Sequence, residues 1–176
     1  SFAVRVPKKI AVVGDSVAAT VAFGLAQAAP EYGVAVTSFA VPGCGIVAGV
    51  ALTDSGVPFE WTRKCDAGVA AVQDEMIARD NPDVVVWLST WELSDREIDG
   101  RQVGFGTPEH DAALLAAIRA RVDALTALGA RVVFVAPAPG APNDRAFPDA
   151  PPDRYAHYRD LLRSFEHPSR PAFVDL

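Results

Sequence analysis

One stretch constrains this chain more than any other: Lys9-Ile10-Ala11-Val12-Val13-Gly14-Asp15-Ser16-Val17-Ala18. An apolar, β-branched run stops at a glycine, an acid and a serine follow, and a helix-like pattern begins at once. This reads as a strand, a tight turn and a helix start. A hydroxyl at that turn sits at the C-terminal edge of a sheet, where open α/β sheets place their sites. It also sits at the positive end of a helix, where backbone N–H groups can stabilise an oxyanion. Gly14 lets the turn tighten and lets a substrate approach the backbone. Ser and Asp are favoured helix caps in any protein, so the stretch alone leaves a cap and a nucleophile both open.

The rest of the chain alternates in the same way. Helices are expected over 16–29, stopped by Pro30, and over 66–79, where Val69, Val72, Met76 and Ile77 fall at helical spacing. A third runs from the cap Thr107 and Pro108 to Gly129, and a fourth covers 154–165. Strands are expected over 9–13, 34–41, 83–89, 131–136 and 172–176; the continuous apolar run 83–89 suits a strand buried on both faces. Pro42-Gly43-Cys44-Gly45 opens a long loop to Lys64, and 137–152 is turn-rich. The segment 90–106 reads as a polar loop, its charges Asp95, Arg96, Glu97, Asp99 and Arg101 as a solvated surface. Strands alternating with helices imply parallel pairing with right-handed crossovers. The expected fold is α/β: a three-layer α/β/α sandwich, five-stranded parallel sheet, flavodoxin-like order 2-1-3-4-5.

At 176 residues the sequence is expected to be one domain, 1–176, with a real core. A net charge of −6 without a basic run argues against a nucleic-acid partner. The apolar runs are too short to span a membrane, and no signal peptide is visible. No metal-ligand cluster and no cofactor are expected. Gly43-Cys44-Gly45-Ile46-Val47-Ala48 matches the dinucleotide fingerprint in form, with Asp66 downstream, but loop chemistry follows where a helix should start. There is no P-loop and no G-x-S-x-G elbow. The two cysteines, Cys44 and Cys65, are either buried thiols or a bridge closing a loop of about 20 residues, worth about 3 kcal/mol.

Loops after parallel strands open at one sheet edge. That edge gathers Ser16, the small residues Gly43-Cys44-Gly45, Trp91-Glu92, and the turn Asn143-Asp144. A nucleophile, accessible N–H groups and a polar-aromatic loop are the parts of an acyl-transfer site. In these blocks the chain resembles the SGNH hydrolases (the GDSL esterase family). Gly14-Asp15-Ser16 is similar to the first block, Gly43-Cys44-Gly45 to the second, and Ser89-Thr90-Trp91-Glu92 stands where the third, Gly-x-Asn-Asp, is usual. With Cys65, these features most resemble SGNH domains attached to bacterial acyltransferase-3 membrane O-acyltransferases. The resemblance implies an extracytoplasmic enzyme that moves an acyl group, acetyl above all, onto a cell-envelope glycan, tethered to or working with a membrane acyltransferase. It implies Ser16 and Asp15 as catalytic residues, Ser16, Gly43 and Gly45 N–H groups as the oxyanion hole, Trp91 and Glu92 as substrate-binding, and a Cys44–Cys65 disulfide.

Two features depart from the family pattern. Trp91 takes the asparagine's place, where its indole either donates a hydrogen bond or simply packs; Glu92 replaces an aspartate, and either ties the loop to Arg96 or meets substrate. The Asp-x-x-His block, source of the general base, is expected beyond Leu176, so the chain reads as C-terminally incomplete. His167, in Glu166-His167-Pro168-Ser169, precedes the last strand at the wrong edge. His110 and His157 start helices at the right edge but have no recognisable partner. A plain secreted esterase and a catalytically silent glycan-binding or accessory domain are the alternatives.

Overall fold

The structure, a computed structural model, describes residues 8–45, 49–53, 55–127, 129–138 and 151–175, without the side chains of Asp66 and Ala67. The Asn143-Asp144 turn therefore lies outside the described residues. Among the described residues, eight strands run in chain order: β1 (Lys9–Gly14), β2 (Ala35–Ser38), β3 (Val50–Ala51), β4 (Val84–Leu88), β5 (Arg96–Ile98), β6 (Arg101–Val103), β7 (Arg131–Ala136) and β8 (Ala172–Asp175). The α-helices are α1 (Ser16–Ala28), α2 (Cys65–Asp80), α3 (Pro108–Thr126) and α4 (Pro152–Ser164).

The main sheet is parallel, in the order β2-β1-β4-β7-β8. Counting its own strands, that is the expected 2-1-3-4-5. Apolar β-branched strands fill its centre because both faces are covered: Val12, Val13, Val85 and Trp87 are fully buried. One face packs on α1 through Ala18 and Ala22. The other packs on α2, α3 and α4 through Met76, Ile118 and Tyr158. β2 is shorter than expected, but the chain stays beside β1 beyond it, with Phe39 N–H donating to the Val12 carbonyl and Val41 N–H to that of Gly14.

The helix starts follow the cap chemistry. Asp15 caps α1 by accepting from Val17 N–H, and Thr107 caps α3 with Pro108 in its first turn. Gly14 is obligatory: its φ is +136°, and a Cβ there would run into the Leu88 carbonyl of the neighbouring strand. The segment 90–106 is not a solvated loop. It carries a 3-10 turn (Trp91–Leu93) and the hairpin β5–β6, which joins β3 in a small antiparallel sheet. Arg96 is 3 % exposed. The strand β3, not a helix, follows the Gly43-Cys44-Gly45 loop, which removes the dinucleotide reading.

Candidate active site

The site is assembled from the loops that leave β1, β2 and β4 at their C-terminal ends. Ser16 opens α1, so its N–H is among the helix-start donors without an intrahelical acceptor. Its side chain is exposed, and its hydroxyl has no hydrogen-bond partner among the described residues.

Asp15, directly before it, has no exposure. Its Oδ1 accepts from Val17 N–H at 2.8 Å, and its Oδ2 accepts from the Thr90 N–H at 2.7 Å, the Thr90 hydroxyl at 2.6 Å and the Trp91 N–H at 3.2 Å. A carboxylate engaged by three N–H groups and a hydroxyl is held and desolvated. Asp15 therefore locks the serine turn to the loop after β4.

The glycine loop is fixed on its other side. Cys44 and Cys65 form a disulfide, as the resemblance implied. The bridge joins the loop to the start of α2 and to the 3-10 turn Glu60–Lys64 just before it. Gly43 has φ +79°, a conformation that favours glycine. Gly45 faces Glu92: a Cβ on Gly45 would lie 2.5 Å from Glu92 Oε1. Both glycines are half-buried.

Glu92 itself has no exposure and is ion-paired with Arg96, which is also buried. Arg96 further donates to the Trp91 carbonyl at 3.0 Å and to the Gly49 carbonyl at 3.3 Å. Of its two expected roles, Glu92 takes the tie to Arg96. Trp91 is 4 % exposed and packs edge-on against Phe59 and Trp61, with ring centroids 5.5 and 6.1 Å away.

The three histidines differ in their surroundings. His110 is 1 % exposed against Phe105; its Nδ1 is 3.7 Å from Asp111 Oδ1, beyond hydrogen-bond range. Burial first, and then the Arg96 cation, lowers its pKa. His157 Nε2 meets both carboxylate oxygens of Asp111 at 2.9 and 3.0 Å, so it does have a partner, which the sequence reading missed. His167 bridges Asp123 at 2.8 Å and Ser169 at 2.7 Å. This chain resembles a catalytic relay, but it sits in the turn before β8, at the opposite edge of the sheet from Ser16. Trp61, which no block singled out, is the aromatic residue that sequence reading passed over; its one signal was an aromatic pair, Phe59 and Trp61, in an otherwise irregular loop.

A family model described as "SGNH domain (fused to AT3 domains)" matches residues 3–175. The chain belongs to that SGNH domain family. Its fold is shared with the periplasmic domain of a lipopolysaccharide acetyltransferase from Salmonella ser. Paratyphi A, at 14% identity and a TM-score of 0.59, over 95% of this chain and 65% of that one. It is also shared with a point mutant of an acetyl-xylooligosaccharide esterase from Geobacillus, at 18% identity and a TM-score of 0.55, over 96% of this chain and 75% of that one. No curated protein matches the SGNH domain in sequence. Among the described residues, no helix of the domain is long and apolar enough to cross a membrane, and no group of three or more His, Cys, Asp or Glu could hold a metal.

Proposed function

We propose that this SGNH domain transfers an acyl group, acetyl in the simplest case, to a hydroxyl of a cell-envelope glycan on the extracytoplasmic side, through an acyl-Ser16 intermediate. Family membership supports acyl chemistry. The observation that carries the reading is an exposed serine hydroxyl at the N-terminus of α1, with Asp15 fixing the turn from behind and the Gly43–Gly45 loop beside it.

Ser16 Oγ attacks the carbonyl carbon of an acyl donor, and its proton passes to a general base. The N–H of Ser16 and that of Gly43 or Gly45 stabilise the oxyanion. The donor's leaving group departs with a proton from the conjugate acid. The glycan hydroxyl then attacks the acyl-serine, gives up its proton to the base, and frees Ser16. His157 pairs with Asp111 and His167 with Asp123, and His110 is buried against Phe105, so this reading takes the Asp/His pair from outside the sequence. A membrane acyltransferase domain is the proposed donor partner, in line with the fusion by which the family is described.

The test is intact mass after incubation with p-nitrophenyl acetate, on this chain and on one extended past Leu176, each with Ser16→Ala as control. A Ser16-dependent acetyl adduct supports the reading. If it forms only on the extended chain, the base is downstream; if it forms on both, His110 or His157 serves. Absence of label on either chain removes acyl transfer. It would then favour a domain that binds glycan without modifying it.

A further inference from the structure

Trp61 stands in the 3-10 turn Glu60–Lys64 and leaves 47 % of its surface open to solvent. Single exposed aromatics are common on protein surfaces; what distinguishes this one is its mounting. Phe59 lies 4.9 Å away, tilted, and Trp91 meets it edge-on. The next residues lead into Cys65, whose bridge to Cys44 fastens the turn to the glycine loop. A Cβ on Gly43 would sit 3.5 Å from Trp61 Nε1. Two independent restraints, ring packing and a covalent bridge, thus fix an open indole beside a candidate oxyanion donor. A rigid aromatic loses little conformational entropy when a ligand covers it.

We infer that Trp61 is a stacking platform for a neutral sugar ring of the substrate. This rests on the acyl-transfer reading for the ring's place beside Ser16, but binding to the indole does not need the chemistry. A pyranose has a face of C–H groups that matches an open indole and a rim of hydroxyls that needs polar neighbours. Glu60 and Arg63, paired at 2.9 Å, supply such neighbours next to the indole, and Arg63 also pairs with Glu97 at 3.1 Å. The chain's net charge of −6 favours a neutral ring over an acidic one.

The experiment is NMR titration of the Ser16→Ala chain with methyl xyloside and methyl glucoside, following the three tryptophan indole N–H signals and assigning that of Trp61 with Trp61→Phe. The Trp61 signal moves saturably, that of the fully buried Trp87 stays, Trp61→Ala raises the Kd about tenfold or more, and Trp61→Phe keeps most of the affinity. The platform is overturned if neither sugar shifts the Trp61 signal, or if Trp61→Ala binds as well as its parent. A response to phosphatidylglycerol vesicles in place of sugar also overturns it and assigns the indole to a membrane interface. Failure here is separable from failure of the acyl chemistry. Sugar binding without any acetyl adduct on Ser16 leaves the platform standing, and an adduct without sugar binding removes the platform alone.

Discussion

Asp15 and Thr90 are joined twice, through the Thr90 N–H at 2.7 Å and its hydroxyl at 2.6 Å, both to one carboxylate oxygen. The residue before the candidate nucleophile thereby fixes a loop 75 positions away. The aspartate of Gly-Asp-Ser has a structural reason that does not depend on proton transfer.

Asp15→Asn replaces an acceptor-only group by one that must turn an NH₂ toward several N–H donors. It leaves at least one buried donor unsatisfied and removes charge-assisted bonds. The expected loss is about 3 kcal/mol, read as a lower urea midpoint at unchanged m-value. A loss below about 1 kcal/mol would show that the loop holds without it.

The buried Glu92–Arg96 pair gives a second expectation. Glu92→Leu leaves the Arg96 guanidinium without its carboxylate in a desolvated place, at a cost of about 3–5 kcal/mol. Glu92→Leu with Arg96→Met removes both charges and should recover much of that stability. Denaturant midpoints of the two variants check it: equal loss in both would mean that the pair matters through packing and not through charge.

The same pair shows where sequence reading stopped. The main sheet was legible because period and punctuation are local: apolar runs ended by Gly14, Pro30 or Gly129 announce elements whatever surrounds them. Arg96 was not, because a charge in a polar run reads as solvated until its partner is known, and burial is decided by tertiary packing. The β5–β6 hairpin did carry a local sign, since Asp99-Gly100 is favoured in two-residue turns, and both residues have positive φ. Its strands are three residues long and charged, which hid them. In the site, Ser16 and the glycine loop could be named from their blocks. The roles of Asp15 and Trp61 could not, because they rest on contacts across loops, and for Glu92 the tie to Arg96 was one of two open roles.

His110 sets a pH dependence. Burial is the main cause of its lowered pKa, Arg96 the second, and Asp111 and Asp95 oppose them. Above about pH 7.5, a unit over the ordinary value of about 6.5, the imidazole is neutral in both folded and unfolded chains and contributes little to the slope. As pH falls through that value the unfolded chain binds the proton first, so stability drops until the pH passes below the folded value. Stability of the wild type, from urea unfolding between pH 7.5 and 5, should fall with a slope of up to about 1.4 kcal/mol per pH unit from this group. His110→Phe, which keeps an aromatic ring against Phe105, should remove that part of the slope. Identical slopes in the two proteins would assign the acid sensitivity to other groups.

Gly45 offers the sharpest test of the oxyanion hole. Its φ is not in the left-handed region, so an alanine there meets no backbone penalty; the obstacle is Glu92, 2.5 and 2.9 Å from the added methyl. Glu92 is pinned by Arg96, which is itself bonded to the Trp91 carbonyl. The loop must therefore give way, carrying the Gly45 N–H with it. If that N–H stabilises the oxyanion, its displacement slows acetylation of Ser16 by about 10²-fold or more, measured by mass spectrometry on the extended chain. The stability should fall only by about 1–2 kcal/mol, what a strained loop costs. An acylation rate as fast as wild type, with the loop demonstrably moved, would transfer the donor role to Gly43. A rate and a stability that fall together would instead mean that Gly45 matters only as the space beside Glu92.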